Sequence, residues 1–101
     1  MNKVHEINLT KDSKVQRDPD QNFTQIDDEV VMLSYNQGEY FALNDTASRI
    51  WTIIESPIVI SKIVSQLVSE YSVSESDCYE DTFSCLLDFY KKDLIDIFEN
   101  E

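Results

Sequence analysis

Few side chains in this sequence are of the types that catalysis uses. His5 is the only histidine, and its polar N-terminal surroundings predict a solvated surface residue. Cys78 and Cys85 lie inside one helical pattern, which separates them by roughly 10 Å and excludes a disulfide between them. Both lie on an apolar stripe with no further Cys or His nearby. We therefore expect two small buried side chains rather than a redox or metal site.

Three other candidates for a binding site have structural explanations. The acids Asp27, Asp28 and Glu29 lack the spacing of a calcium loop, so we expect the charged edge of a hairpin. Gly38 is the only glycine, which excludes a glycine-rich phosphate loop. Trp51 falls on the apolar face of a predicted helix and is expected in the core. The sequence therefore predicts no enzyme, no metal and no cofactor.

The charge of the chain limits its partners. Its 101 residues include 20 acidic and 8 basic ones, for a formal net charge of −12. Such a field repels nucleic-acid phosphates and anionic membrane surfaces, so neither is an expected partner. A basic or neutral peptide, or a basic protein, is compatible with it. The sequence has no secretory signal and no apolar stretch of the roughly 20 residues that span a bilayer, so we expect a cytoplasmic protein.

Apolar runs in the first half of the chain predict strands. Residues 23–26 form one such run after an Asp-Pro-Asp turn signal. Residues 30–33 and 40–43 form two more, and the short link between them contains Gly38. Two apolar runs joined by a short Asn- and Gly-containing link predict a β-hairpin, because glycine readily supplies the positive φ of such turns.

Helical periodicity predicts three helices after these strands. The first runs from Asp45 or Thr46 to Glu55, and the second from about Ile60 to Tyr71. The third begins at about Ser74 and ends at about Lys91 or Lys92. The first is expected to begin with Asn44 or Asp45 as its N-cap, and the third with a serine followed by acids. Strands followed by helices predict an α+β domain.

The strand at residues 39–43 lies at an edge of the sheet if the strand order follows the sequence. An edge strand offers unpaired backbone N–H and C=O groups to an extended peptide. Two segments are alternative covers for this edge. Residues 1–13 are predicted to be a flexible N-terminal arm or to include a short strand, and residues 94–98 to form a final strand or to pack on the core.

An ordered pattern of residues resembles the PqqD-like family, the peptide-recognition elements of ribosomal peptide natural-product pathways. The pattern reads G-x-Y-F-x-L-N-x-x-A-x-x-I-W from Gly38 to Trp51. Further matches extend the resemblance over residues 14–96: Ile63, Leu67, Tyr71, Asp81, Leu86, Leu94 and Ile95. The strand before Gly38 is most similar to the stand-alone leader-binding proteins of lasso-peptide clusters.

The resemblance implies a winged helix-turn-helix-like fold, with a three-stranded antiparallel sheet followed by three helices over residues 14–101. It also implies binding of the leader segment of a precursor peptide and its presentation to a processing enzyme, in lasso pathways a cysteine leader peptidase. The leader would add as a strand beside residues 39–43, facing the third helix. The implied peptide-binding residues are Glu39, Tyr40, Phe41, Ala42, Leu43, Cys78, Asp81, Thr82, Cys85, Leu86 and Phe89.

The sequence departs from the family pattern at three positions. Asp93 replaces a helix-ending glycine, Cys85 a larger aromatic residue and Val59 a capping threonine. Two other functions remain as alternatives. A winged-helix nucleic-acid regulator needs a basic recognition helix, whereas residues 74–90 contain acids and no Lys or Arg. A structural activating subunit would bind an enzyme without affinity for a leader. A monomer or a weak homodimer is expected.

Overall fold

The structure, a computed structural model, describes residues 8–34 and 39–98. The elements formed by these residues are β1 (Lys14–Arg17), β2 (Phe23–Ile26), β3 (Glu29–Ser34), β4 (Glu39–Ala42), α1 (Asp45–Ile53), β5 (Ile58–Val59), α2 (Ile60–Glu70), α3 (Glu75–Lys91) and β6 (Ile95–Phe98). The predicted α+β class, with an antiparallel three-stranded sheet and three helices, is confirmed.

The predicted sheet has the strand order β2-β3-β4 and is antiparallel throughout. Met32 pairs with Phe23 on one side and Phe41 on the other, and Met32 is fully buried. Tyr40 lies on the opposite face and is 76% exposed. Because side chains alternate along a strand, one face of this sheet is directed to the core. The link that contains Gly38 lies outside the described residues.

A second antiparallel sheet, with the order β5-β1-β6, was not predicted. It joins segments that are distant in the sequence, since Val15 of β1 pairs with both Ile58 and Ile97. β1 and β5 contain only four and two residues, and no pattern within such short segments shows that they pair with one another. Of the two outcomes expected for residues 94–98, a final strand is confirmed.

Residues 8–13 lie against the start of α2. The carbonyl groups of Ser13 and Lys11 accept hydrogen bonds from the N–H groups of Ile60 and Ser61, each at 2.9 Å. Val59, the N-cap of α2, makes no side-chain capping bond, so these carbonyls satisfy N–H groups of the first turn instead. The contacts tie this segment to the domain, in contrast to the predicted flexible arm. Residues 1–7 lie outside the described residues.

Trp51 lies at the centre of the core, as predicted. It is fully buried, and its ring makes edge contacts with Phe23 and Phe89 at centroid distances of 5.6 Å. The guanidinium of Arg17 lies 4.8 Å from the ring of Phe23 and 5.4 Å from that of Trp51. It also donates a hydrogen bond to the carbonyl of Trp51 at 3.1 Å. This cluster connects β1 of one sheet with β2 of the other.

Side-chain caps begin two of the helices. Asn44 Oδ1 accepts from the N–H of Ala47 at 2.8 Å at the start of α1. Ser74 Oγ accepts from the N–H of Asp77 at 3.2 Å at the start of α3. The predicted starts of both helices are thus confirmed. α1 ends at Ile53, two residues before the predicted end, because the chain becomes extended again to form β5.

The end of α3 accommodates Asp93 where the family pattern has a glycine. Asp93 has a φ of 61°, the left-handed conformation that glycine adopts freely and that aspartate tolerates better than most residues. The N–H of Leu94 donates to the carbonyl of Phe89 at 2.9 Å, and the N–H of Asp93 to that of Tyr90 at 3.1 Å. The chain therefore turns from α3 into β6 with a helix-ending geometry suited to glycine.

Candidate functional site

A groove of about 730 Å³ lies between β4 and α3. One wall is formed by the end of β4 and the start of α1, and the other by three turns of α3. Because the lining extends from Asp81 to Lys92, the groove follows the helix axis over roughly 16 Å. The lining residues are Phe41, Ala42, Leu43, Asn44, Thr46, Ala47, Asp81, Ser84, Cys85, Leu87, Asp88, Phe89, Lys91 and Lys92.

The outer edge of β4 borders this groove. β4 pairs with β3 on one side, and no described strand pairs with it on the other. The N–H of Leu43 donates to the carbonyl of Val30 at 2.8 Å. Because backbone groups alternate in direction along an antiparallel strand, the N–H and C=O groups of Tyr40 and Ala42 point away from β3. We call these outward groups the open edge.

The described parts of the two segments that the sequence suggested as covers, residues 8–13 and 94–98, do not lie on the open edge. The C-terminal segment forms β6, which pairs with β1 in the other sheet. Residues 8–13 lie against the start of α2. Within residues 8–34 and 39–98, the open edge therefore has no partner strand.

A buried hydroxyl holds the floor of the groove in place. Ser48, on α1, is 2% exposed. Its Oγ accepts from the N–H of Val30 at 3.0 Å and donates to the carbonyl of Leu43 at 3.2 Å. The hydroxyl thus bridges the start of β3 and the residue that follows β4. Since Leu43 lines the groove, this bridge fixes α1 and the open edge relative to each other.

Several predicted peptide-binding residues line the groove. They come from both walls and are Phe41, Ala42, Leu43, Asp81, Cys85 and Phe89. Leu43 and Phe89 are 6% and 2% exposed, so they form its floor. Ala42 and Asp81 are exposed at its rim. The structure therefore brings together residues that lie some 40 positions apart in the sequence.

The side chains of four other predicted residues lie outside the groove lining, and this corrects their expected place. Cys78, Thr82 and Leu86 are 6%, 0% and 0% exposed and face the core. They form a stripe of positions four residues apart, which a helix places on one side. The side chain of Tyr40 projects from the opposite face of the sheet, and the side chain of Glu39 is not among those described.

Sequence reasoning missed much of the lining. The unpredicted residues are Asn44, Thr46, Ala47, Ser84, Leu87, Asp88, Lys91 and Lys92. Those on α3 mostly follow Asp81 and Cys85 in steps of three or four residues, the spacing that puts side chains on one helix face. Helical spacing shows that these residues share a face with Asp81 and Cys85, but it does not show which face packs beside β4. The predicted residues of α3 were those that the resemblance to the PqqD-like family implied.

Charged side chains lie along the helix wall of the groove. Lys92 Nζ is 2.8 Å from Asp88 Oδ2 and 5.0 Å from the centre of the Phe41 ring. Lys92 therefore reaches from the end of α3 towards β4. Asp81 and Lys91 are exposed at opposite ends of the groove. Asp81 lies at one end of the wall, and Lys91 and Lys92 outnumber Asp88 at the other, so the two ends carry opposite net charges.

Cys85 is half-buried in the middle of this wall. Burial raises the pKa of its thiol to about 12, with a further contribution from the Asp88 carboxylate that Lys92 partly opposes. The thiol is therefore protonated at neutral pH and acts as a small apolar surface rather than a nucleophile. Cys78 and Cys85 are both free thiols.

The described residues contain neither a metal-binding cluster nor a membrane-spanning helix. In residues 8–34 and 39–98, no group of three or more His, Cys, Asp or Glu side chains is placed to hold a metal ion. None of the helices in these segments has both the length and the apolar character needed to cross a membrane. His5 lies outside these segments. The groove and the open edge are therefore the candidate site.

Known proteins are similar to this chain in fold and, to a lesser degree, in sequence. Residues 29–95 match the family described as coenzyme PQQ synthesis protein D (PqqD). TbiB1 in complex with the TbiA(beta) leader peptide is similar with a TM-score of 0.73 and 30% identity, over 84% of this chain and 99% of that one. Lasso peptide synthetase B1 complexed with the leader peptide has a TM-score of 0.70 and 26% identity, over 80% and 95%. A comparison with curated proteins found no match.

These matches confirm the resemblance that the sequence suggested. The matched segment extends from the first residue of β3 to the first residue of β6, so it contains both walls of the groove. The likeness to TbiB1 extends over nearly the whole of that chain. The order of strands and helices expected from the resemblance is also that of the structure. This chain belongs to the PqqD family.

Proposed function

We propose that this protein binds the leader segment of a ribosomally synthesised precursor peptide and presents it to a processing enzyme. The leader adds as a further strand to the open edge of β4 and lies in the groove beside α3. The open edge is the observation that carries this proposal, because unpaired N–H and C=O groups next to a groove are what an extended peptide requires.

The relatives support the choice of ligand. The structures of TbiB1 and lasso peptide synthetase B1 were both solved in complex with leader peptides. This chain covers 99% and 95% of them, so it has counterparts for nearly all of their elements. The precursor of a lasso peptide is the most specific ligand that these likenesses suggest.

The proposal extends to the setting of the protein. Residues 14–101 are the recognition domain, and the chain contributes no catalytic step of its own. The processing enzyme is a protease such as a cysteine leader peptidase. Precursor peptides are made by ribosomes, so the protein acts in the cytoplasm. An unpaired strand edge can also join two copies of a chain, and a monomer or a weak homodimer is therefore expected.

The alternative functions differ in what they require of α3 and of the open edge. A nucleic-acid regulator needs basic residues along its recognition helix, but α3 contains no Lys or Arg before Lys91. A purely structural activating subunit needs no affinity for a leader. Binding of the leader in the absence of any enzyme separates that function from the one proposed.

Titration of a fluorescein-labelled leader from the neighbouring precursor gene tests the proposal. Ala42→Pro removes an outward N–H from the open edge and leaves the bonds to β3 intact, since proline is tolerated where a strand faces solvent. We expect its affinity, measured by fluorescence anisotropy, to fall at least about tenfold, because a main-chain hydrogen bond and the strand geometry are lost together.

Ala42→Ser is the matched control, because it changes the same exposed side chain and keeps the N–H. It is expected to bind like the wild type. Circular dichroism and urea midpoints show that both variants are folded. The proposal is wrong if the folded wild-type chain does not bind the leader at tens of micromolar, or if Ala42→Pro binds as tightly as Ala42→Ser.

A further inference from the structure

The groove wall formed by α3 changes its charge along its length. Asp81 is exposed at one end, Lys91 and Lys92 are exposed at the other, and Cys85 lies half-buried between them. The whole sequence contains only 8 basic residues against 20 acidic ones. Two adjacent lysines beside the groove are therefore a local exception to an acidic surface. A ligand that fills the groove meets opposite charges at its two ends.

The spacing of these side chains suits the repeat of an extended peptide. The helix rises about 6 Å between Asp81 and Cys85, and two residues of a strand rise about 6.7 Å. From Cys85 to Lys91 the helix rises about 9 Å more, but lysine side chains are long, and Lys92 already bends towards Phe41. Alternate residues of a strand face the same side. Positions i, i+2 and i+4 of the peptide thus meet the acid, the thiol and the lysines.

We infer that the groove selects a peptide segment with opposite charges four residues apart and an apolar side chain midway between them. The basic side chain lies by Asp81, the apolar one beside Cys85 and Phe89, and the acidic one by Lys91 and Lys92. The inference rests on the proposed function, since it specifies the chemistry of the leader that the open edge holds.

The groups that would recognise this pattern are available to a ligand. The ion pair between Lys92 and Asp88 joins side chains that are 46% and 60% exposed, and pairs this exposed contribute little to stability. A peptide carboxylate can therefore replace Asp88 at little cost. Burial raises the pKa of Cys85 to about 12, so the thiol is neutral. An apolar side chain that covers it leaves no buried charge without a partner.

Selection from a library of short random peptides, displayed on their own mRNA, tests the inference with the full chain. The wild type is expected to enrich peptides with a base and an acid four residues apart and an apolar residue between. Selection with Asp81→Lys should enrich peptides in which an acid replaces the base. Selection with the double variant Lys91→Glu/Lys92→Glu should enrich peptides in which a base replaces the acid. The controls Glu80→Lys and Lys62→Glu change exposed charges outside the groove lining and should leave the pattern unaltered.

One enriched peptide then provides the quantitative test. Reversing the charge of its basic residue is expected to weaken binding to the wild type about fivefold, as for an exposed ion pair. Asp81→Lys is expected to restore the affinity of the reversed peptide to within about twofold of the original. Fluorescence anisotropy measures both effects, and urea midpoints show that the variants are folded.

Enriched peptides that lack this charge pair, or whose affinity does not respond to Asp81→Lys, would overturn the inference. They would leave the proposed function intact, because main-chain pairing with the open edge does not depend on Asp81. The proposed function fails differently. A folded wild-type chain that enriches no peptide, or peptides that bind Ala42→Pro as tightly as the wild type, overturn both.

Discussion

The two faces of α3 differ in their chemistry and in their burial. The core face carries Cys78, Thr82 and Leu86, which are 6% exposed or less. The groove face carries Asp81 and Cys85, neither of which is fully buried. A step of one residue around the helix separates the two faces, since each residue turns it by about 100°. The apolar stripe that reveals a helix in a sequence therefore marks the face that packs into the core, and the face that lines the groove lies beside it.

Leu86→Ala, on the core face of α3, is expected to have the largest effect on stability. The side chain is fully buried, so its removal leaves a cavity, and we expect the free energy of unfolding to fall by about 2–5 kcal/mol. Leu87→Ala is the matched control, because this neighbouring leucine is half-buried at the groove. Urea denaturation measures both variants. A loss for Leu86→Ala no larger than that for Leu87→Ala would contradict the division into two faces.

Ser48→Ala should destabilise the wall of the groove that is formed by β4 and α1. It leaves the buried N–H of Val30 and the carbonyl of Leu43 without the hydroxyl that joins them. We expect a loss of about 1–3 kcal/mol in urea denaturation. Ser69→Ala removes an exposed hydroxyl that donates to the carbonyl of Gln66 and should cost about 0.5 kcal/mol or less. Equal losses for the two variants would show that the buried bridge is not structural.

At the end of α3, where both faces stop, stability should depend on the backbone conformation of Asp93. Asp93 has a positive φ, so Asp93→Gly should be more stable than Asp93→Ala by about 1 kcal/mol. At Ser65, an exposed position inside α2, the order should reverse, with the alanine variant about 1 kcal/mol more stable than the glycine variant. Thermal or urea unfolding of the four variants measures both differences. The same order at the two positions would contradict the left-handed conformation at Asp93.

The burial of the Cys85 thiol should have a larger effect on the reactivity of this side chain than on the stability of the fold. Its folded-state pKa of about 12 lies above the ordinary value of 9.0, so iodoacetamide should modify Cys85 slowly at pH 8 and faster as the pH approaches 12. The retained proton favours the fold below pH 9, and this contribution is lost as the pH rises from 9 to 12. Peptide mass spectrometry measures the labelling, with the chain in urea as the control. Equal rates at pH 8 for the folded and the unfolded chain would contradict the burial of this thiol.

Local patterns were sufficient to predict the elements that position the site. The hairpin strands, the cap at Asn44 and the serine at the start of α3 all depend on residues that are close in the sequence, and all are confirmed. The core position of Trp51 followed from helical periodicity in the same way. These features are predictable because the interactions that form them lie within a turn or a strand pair.

Contacts between distant segments were not predictable from the same patterns. The sheet β5-β1-β6 joins three short segments from different parts of the chain. A pattern within one segment does not show which distant segment it pairs with. The backbone capping of α2 by Ser13 and Lys11 is likewise nonlocal. Which face of α3 lines the groove depends on where β4 packs, and the periodicity of α3 alone does not contain that information.

Amide hydrogen exchange of Ala42 tests the central claim most directly. In the free protein its N–H points away from β3 and should exchange quickly, whereas that of Leu43, bonded to the carbonyl of Val30, should be protected. When the leader is added to saturation, Ala42 should become protected, and Leu43 should remain so. An Ala42 amide that is protected before the leader is added, or that still exchanges quickly with the leader bound, would contradict strand addition at the open edge.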